Sequence, residues 1–82
     1  MTDQIALDDA LTRLETLQSA SDFEAVHAGL SEVVRLLETS GIGLNQSIRA
    51  YEIGRNLADR CQTLLDAAEL RVTQLDADHE GA

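Results

Sequence analysis

The chain has 82 residues, and its 15 acidic and 6 basic side chains give a formal net charge of −9. A domain of this size buries only a small hydrophobic core, and its single cysteine, Cys61, excludes a disulfide within the chain. Nucleic-acid binding draws much of its affinity from Lys and Arg side chains that neutralise the phosphates. A surface this acidic repels a polyanion, so a partner protein is expected to hold any DNA. The acid excess is otherwise explained by solubility.

Nothing near the start of the sequence has the pattern of a signal peptide. Residues 1–4 are polar and no apolar core follows them. No apolar run approaches the roughly 20 residues that a membrane-spanning helix needs. These features predict a cytoplasmic protein.

The composition predicts an all-α fold. The chain has no Pro or Trp, one Phe and one Tyr, whereas strands favour β-branched and aromatic residues at period two. In chain order, the first apolar pattern has a spacing of three or four residues, which predicts one face of a helix. It consists of Leu7, Leu11, Leu14 and Leu17.

A second helix is predicted to begin after residues 19–22, where the phase of the pattern slips. Ser21 and Glu24 have the spacing of a capping box. The apolar residues that follow are Phe23, Val26, Leu30, Val33 or Val34, and Leu37. Gly41 and Gly43 then predict a helix stop and a turn.

The third and longest pattern predicts a helix from about Leu44 to Asp76, roughly 50 Å long at 1.5 Å per residue. Gly43 is expected to cap it, with Gln46 in the reciprocal position. Ile53, Leu57 and Leu64 widen its apolar stripe. The stripe expected to pack against a helix of the same chain or of a partner consists of Leu44, Ile48, Tyr51, Gly54, Ala58, Cys61, Leu65, Ala68, Val72 and Leu75.

The expected organisation is an antiparallel helical hairpin with a long second helix. It comprises an N-terminal helical extension over 1–20, the hairpin over 21–77 with its turn near 40–43, and a polar tail over 78–82. Residues 23–39 reach along the long helix only to about Arg60, which leaves the apolar face of 61–75 uncovered. We expect the segment 7–17 to extend the first arm along that face and other chains to cover it too, with self-association as a consequence.

Several short motifs follow one another in a fixed order. Residues 51–54 read Y-E-I-G, residues 57–62 read L-A-D-R-C-Q, and residues 68–72 read A-E-L-R-V. With the turn residues Leu37-Glu38, Gly41, Leu44 and Ser47, and with Phe23-Glu24, Leu30 and Glu32-Val33-Val34, they resemble the exodeoxyribonuclease VII small subunit family from Phe23 to about Leu75.

Two departures from the family pattern affect the first arm. His27 stands where the family usually has Leu, and Gly29 lies inside a helix at a cost of about 1 kcal/mol relative to Ala; a looser helix is therefore expected. Residues 7–11, L-D-D-A-L, also resemble the family's first-helix motif F-E-E-A-L. Either this chain extends the usual first arm, or the two segments are local duplicates.

The resemblance implies a non-catalytic subunit. In that family the large subunit carries the nuclease activity and a nucleic-acid-binding fold, and the holoenzyme degrades single-stranded DNA from either end into oligonucleotides. Several small subunits attach to each large one through helical contacts. The implied partners are the large subunit and further small subunits, with single-stranded DNA reached only through the large subunit and no membrane.

No catalytic, metal or cofactor site is expected in this chain. Nucleases cluster carboxylates around metals or pair a nucleophile with a base. The acidic residues of this chain are instead spread along helix surfaces, and we expect them to form a solvated helix face. They are Glu52, Asp59, Asp66 and Glu69. The spacing of His27, Cys61 and His79 matches no metal-ligand motif. We therefore expect His27 to lie on the inner face of its helix, Cys61 to lie in the core and His79 to belong to the tail.

Two further sets of residues on the long helix permit two interpretations each. The small residues, Gly54 above all, indicate either close approach of another helix or ordinary core tapering; under the first, Gly54→Leu is expected to fold but lose its partner. Arg49, Arg60 and Arg71 are spaced by eleven residues and either meet an acidic patch on the large subunit or pair with neighbouring acids.

The alternative function is a generic helical-hairpin adaptor or secretion-type protein. The small WxG-type hairpins carry Trp-x-Gly at the turn, and this chain has no Trp. A free-standing enzyme would need a catalytic cluster, and a four-helix cofactor protein would need paired His or Glu-x-x-His on its inner faces. A neighbouring gene for a large nuclease subunit favours the first interpretation, and a secretion cluster favours the adaptor.

Overall fold

Helices make up most of the chain in the computed structural model, which describes residues 2–39 and 41–80, and the side chains of 6–39 and 41–77. Helix α1 spans Thr2–Thr16 and continues into a 3-10 turn at Leu17–Ser19. Helix α2 spans Phe23–Glu38, and helix α3 spans Leu44–Glu80. No strand occurs in the described ranges, so the predicted all-α hairpin with an N-terminal helix is confirmed.

Asp22 caps the start of α2. Its carboxylate accepts a hydrogen bond from the Glu24 amide at 3.1 Å, and its carbonyl accepts the first helical bond from the Val26 amide. The predicted restart of the helix is therefore correct, but Ser21 is not the capping residue. Asp22 lies one residue closer to the helix, and carboxylates are good N-caps.

The connection between α2 and α3 contains Gly41 and Gly43. Gly41 has a φ of 88°, a left-handed conformation that glycine adopts without steric cost. The carbonyl of Gly43 accepts a hydrogen bond from the Ser47 amide at 2.9 Å, which starts α3. The Gln46 side chain folds back over Gly43, so that its flexible end lies against the position that a β-carbon would take there.

The long helix continues further than the sequence pattern predicts. α3 has 37 residues and ends at Glu80, so its backbone runs into the segment 78–82 that was expected to be a polar tail. Polarity alone does not stop a helix, and no Gly or Pro precedes Gly81 in this part of the sequence. The described molecule is elongated, at 63 × 17 × 14 Å.

Helix α1 folds back beside the hairpin. Arg49 Nε donates to Glu15 Oε1 at 2.8 Å, and Arg60 Nε donates to the Ala20 carbonyl at 2.7 Å. Because residue numbers rise together on both sides of these contacts, α1 runs parallel to α3 and antiparallel to α2. The expectation that α1 continues the first arm along 61–75 is therefore wrong: the chain reverses at extended residues such as Ala20 and Asp22.

The fold-back of α1 completes the hydrophobic core. Leu14 is fully buried, and a β-carbon at Gly29 would lie 3.3 Å from Leu14 Cδ2 and 2.6 Å from Leu17 Cδ1. Gly29 therefore allows α1 to approach α2, and it does not mark the loose helix that its propensity suggested. The buried core consists of Leu11, Leu14, Val26, Val33, Ala50, Ile53, Leu57 and Cys61.

Candidate partner interface

The apolar stripe predicted on α3 divides between the core and the surface. Gly54 and Cys61 are buried, whereas the other members are exposed. The α3 residues at the centre of the core are instead Ala50, Ile53 and Leu57. The exposed members of the predicted stripe are Leu44, Ile48, Tyr51, Ala58, Leu65, Ala68, Val72 and Leu75.

Gly54 lies where α3 packs tightly against α2. A β-carbon at this position would lie 2.9 Å from Val33 Cγ1 and 4.0 Å from Leu30 Cδ1. The neighbour of Gly54 is thus a helix of the same chain. A bulky residue such as Leu at position 54 would disturb the α2–α3 contact itself, so its effect on a partner could not be separated from its effect on the fold.

A shallow apolar groove lies between α2 and α3 on the side opposite α1. Val34 and Leu37 on α2 are 45% and 38% exposed, and Tyr51 on α3 is 60% exposed rather than half-buried. Side chains of this size in solvent are a common feature of interaction surfaces. The groove is lined by Leu30, Val33, Val34, Leu37, Tyr51, Gly54 and Arg55.

Beyond the end of the hairpin, α3 projects alone. Every side chain described in residues 65–77, which we call the projecting segment, is exposed. Leu65, Val72 and Leu75 are 40%, 57% and 63% exposed, and their spacing from Leu57 and Cys61 places them on the helix face that is buried earlier in α3, within the hairpin. The apolar face therefore continues past the residues that cover it.

Two of the three arginines spaced along α3 bind the N-terminal part of the chain: Arg49 binds α1, and Arg60 binds the connection between α1 and α2. Arg49 contacts Glu15 and also donates to Thr12 Oγ1 at 3.1 Å, and Arg60 binds the Ala20 carbonyl. Arg71 is exposed in the projecting segment. Arg49 and Arg60 therefore do not pair with nearby acids on α3, and their spacing in the sequence did not indicate these contacts with α1 and with the connection that follows it.

The residues with possible catalytic or ligand chemistry lie apart from one another. Among the described side chains, no group of three or more His, Cys, Asp and Glu could hold a metal ion. His27 is exposed and stacks on Phe23 with ring centroids 5.6 Å apart, so its expected place on the inner face is wrong. Cys61 is a buried free thiol, and the side chain of His79 lies outside the described residues.

The exposed carboxylates of α3 form no such site either. Glu52, Asp59, Asp66 and Glu69 all face solvent. None of the described helices combines the length and the apolar character that a membrane span requires.

A family model and several known proteins are similar to this chain, and they agree with one another. Residues 23–74 match the model of a family described as exonuclease VII small subunit. The chain is 45% identical over 53 residues to the exodeoxyribonuclease 7 small subunit of Mycobacterium leprae (strain TN), an alignment that covers 65% of this chain and 68% of that protein.

Two further relatives extend the similarity. The exodeoxyribonuclease 7 small subunit of Agrobacterium fabrum is 40% identical over 63 residues, which cover 77% of this chain and 73% of the relative. That of Mycobacterium tuberculosis is 40% identical over 73 residues, covering 89% and 86%. No solved structure matches the chain.

Proposed function

Because the chain belongs to the exonuclease VII small subunit family, we propose that it is the non-catalytic subunit of an exodeoxyribonuclease VII. Its partner is then a large catalytic subunit that degrades single-stranded DNA from both ends into oligonucleotides. The chain supports that activity as a helical scaffold and supplies no reacting group. Its place of action is the cytoplasm, where such a substrate arises.

The uncovered apolar surface of the chain is the observation that carries this proposal. The groove beside Tyr51 and the projecting segment together leave most of one side of α3 in solvent. Apolar surface of this kind is stabilised when another protein covers it. A subunit that works only in a complex accounts for it, whereas a free-standing adaptor would need a partner of unknown kind.

The charge of the chain supports an indirect relation to DNA. Formal net charge is −9, and a surface of that sign repels a phosphate backbone. Three of the arginines, Arg13, Arg49 and Arg60, are engaged in contacts with side chains or backbone of this chain. Phosphate contacts therefore fall to the large subunit in this proposal.

The proposal is tested by producing the chain with and without the large subunit encoded in the same genome. We expect the two to co-elute in gel filtration and to degrade single-stranded DNA together, and we expect the small chain alone to degrade none. Light scattering on the isolated chain measures its self-association, and cell fractionation measures its location.

Two results would contradict the proposal. One is that the large subunit does not bind this chain and that its nuclease activity is unchanged when the chain is added. The other is nuclease activity of the small chain alone. The first result would favour the adaptor function instead.

A further inference from the structure

We infer that the projecting segment of α3 docks an amphipathic helix whose apolar stripe carries Lys or Arg along one edge, and that this helix lies in line with α2. The inference rests on the proposed function, which makes the large subunit the protein that carries this helix. It assigns to residues 65–77 a role that is separate from the fold of the hairpin.

The geometry of the exposed face fits a single helix. Leu65 and Val72 form one row with a spacing of seven residues, and Ala68 and Leu75 continue the row that begins at Cys61. Two such rows form the seam along which helices pair in coiled coils. Along the hairpin the same face of α3 is covered by α2, which begins at Phe23. A docked helix would cover the part of this face that α2 does not reach.

The charges beside the seam specify the partner's chemistry. Glu69 and Asp76 have the same seven-residue spacing and flank the seam on one side, and Arg71 flanks it on the other. Both are exposed, and neither belongs to the ion pairs found among the described side chains, which join Arg13 with Glu32 and Arg49 with Glu15. Lys or Arg on the incoming helix would complement this acidic edge, as flanking charges do in helix pairs.

A second copy of the chain fits this face poorly. In an antiparallel helix pair the same edge of each helix meets its counterpart, so Glu69 and Asp76 would face acids of the other copy. In a parallel, in-register pair the second α3 would run into α2, because α2 occupies the same face as far as Phe23. The net charge of −9 on each chain adds long-range repulsion. A helix of a different protein avoids all three penalties.

The test compares two matched substitutions on opposite sides of the projecting segment. Val72 and Leu70 are 57% and 60% exposed, so neither Val72→Glu nor Leu70→Glu removes a core contact. Each variant is titrated against the large subunit, and circular dichroism confirms that both stay helical. We expect Val72→Glu to weaken binding at least about tenfold and Leu70→Glu to bind like the wild type.

A charge reversal tests the acidic edge. Glu69→Arg combined with Asp76→Arg is expected to weaken binding and to reverse its salt dependence, because added salt screens attraction in the wild type and repulsion in the variant. Glu52→Arg, on the same helix but outside the projecting segment, is the control and is expected to retain the wild-type salt dependence.

The outcomes separate this inference from the proposed function. Equal binding by wild type and Val72→Glu, or equal loss in Val72→Glu and Leu70→Glu, would overturn the docking face while the subunit function stands. No binding by the wild type would overturn the proposed function and the partner with it. A homodimer that Val72→Glu dissociates, with no effect on the large subunit, would assign the face to a second copy.

Discussion

Gly54 of α3 lies so close to Val33 of α2 that a β-carbon on the glycine would be 2.9 Å from Val33 Cγ1. Val33 is almost fully buried, and its β-branched side chain has little rotameric freedom inside a helix. The neighbour therefore cannot easily move away. At this point the two arms of the hairpin pack so closely that a glycine is the residue that fits without a shift.

Gly54→Ala is accordingly expected to destabilise the fold even though Ala favours a helix by about 1 kcal/mol. Overpacking of this kind costs typically about 1–3 kcal/mol, so the net loss in the free energy of unfolding should lie between about 0 and 2 kcal/mol. Urea unfolding of the single variants and of the double variant with Val33→Ala measures the coupling. The double variant should lose less than the sum of the single ones; strict additivity would contradict the contact.

Leu14 should contribute strongly to stability, because it joins α1 to the core. It is fully buried, and truncation of a buried Leu to Ala costs about 2–5 kcal/mol. We expect Leu14→Ala to lower the free energy of unfolding by an amount in that range. Leu70→Ala is the control, with an expected change within about 0.5 kcal/mol at its exposed site. A small effect at Leu14 would show that α1 does not stabilise the hairpin.

Asp22 and Ser21 offer a direct comparison of two neighbouring residues. Because the Asp22 carboxylate accepts from the Glu24 amide, Asp22→Ala is expected to cost about 0.5–2 kcal/mol. Ser21→Ala, at an exposed position that caps nothing, should change stability by less than about 0.5 kcal/mol. Thermal unfolding of both variants measures the two losses of stability. A larger loss in Ser21→Ala than in Asp22→Ala would identify Ser21 as the cap.

Arg60 and Arg71 separate a structural arginine from a solvated one. Arg60 is partly buried and donates to the Ala20 carbonyl, so Arg60→Met is expected to cost about 1 kcal/mol, less than a fully buried charged hydrogen bond because solvent competes for it. Arg71→Met removes an exposed side chain and should be nearly neutral. Chemical denaturation at matched ionic strength measures both; equal effects would argue against the role of Arg60 at the connection.

The sequence predicted those features that depend on local patterns. A spacing of three or four residues identifies α1, α2 and α3 because each helix must bury one face, and Gly41 marks the turn because its φ of 88° is costly for other residues. The position at which α2 restarts was also visible. Its capping residue was not, since Ser21 and Asp22 are both good N-caps and only the path of the chain decides between them.

The spacing of the apolar residues could not predict the direction in which α1 packs or the face of α3 that is buried. Arg49 and Glu15 are 34 residues apart in the chain, and such long-range contacts decide which way α1 packs. On α3, Ala50 and Tyr51 belong to different apolar rows, and the spacing of the rows does not say which one α2 covers. The candidate interface was consequently predicted as one stripe, whereas the structure divides its residues between core and surface.

The isolation of the projecting segment has a consequence for the dynamics of the chain. A helix of about 15 residues without tertiary contacts is only marginally stable in water, so the amides of 65–77 should exchange their hydrogens by local fraying. Amides near Ile53 and Leu57 should exchange only when the whole fold opens. A helix that docks on the segment would then spend part of its binding free energy on ordering it, and assembly would appear as slowed exchange at one end of the molecule.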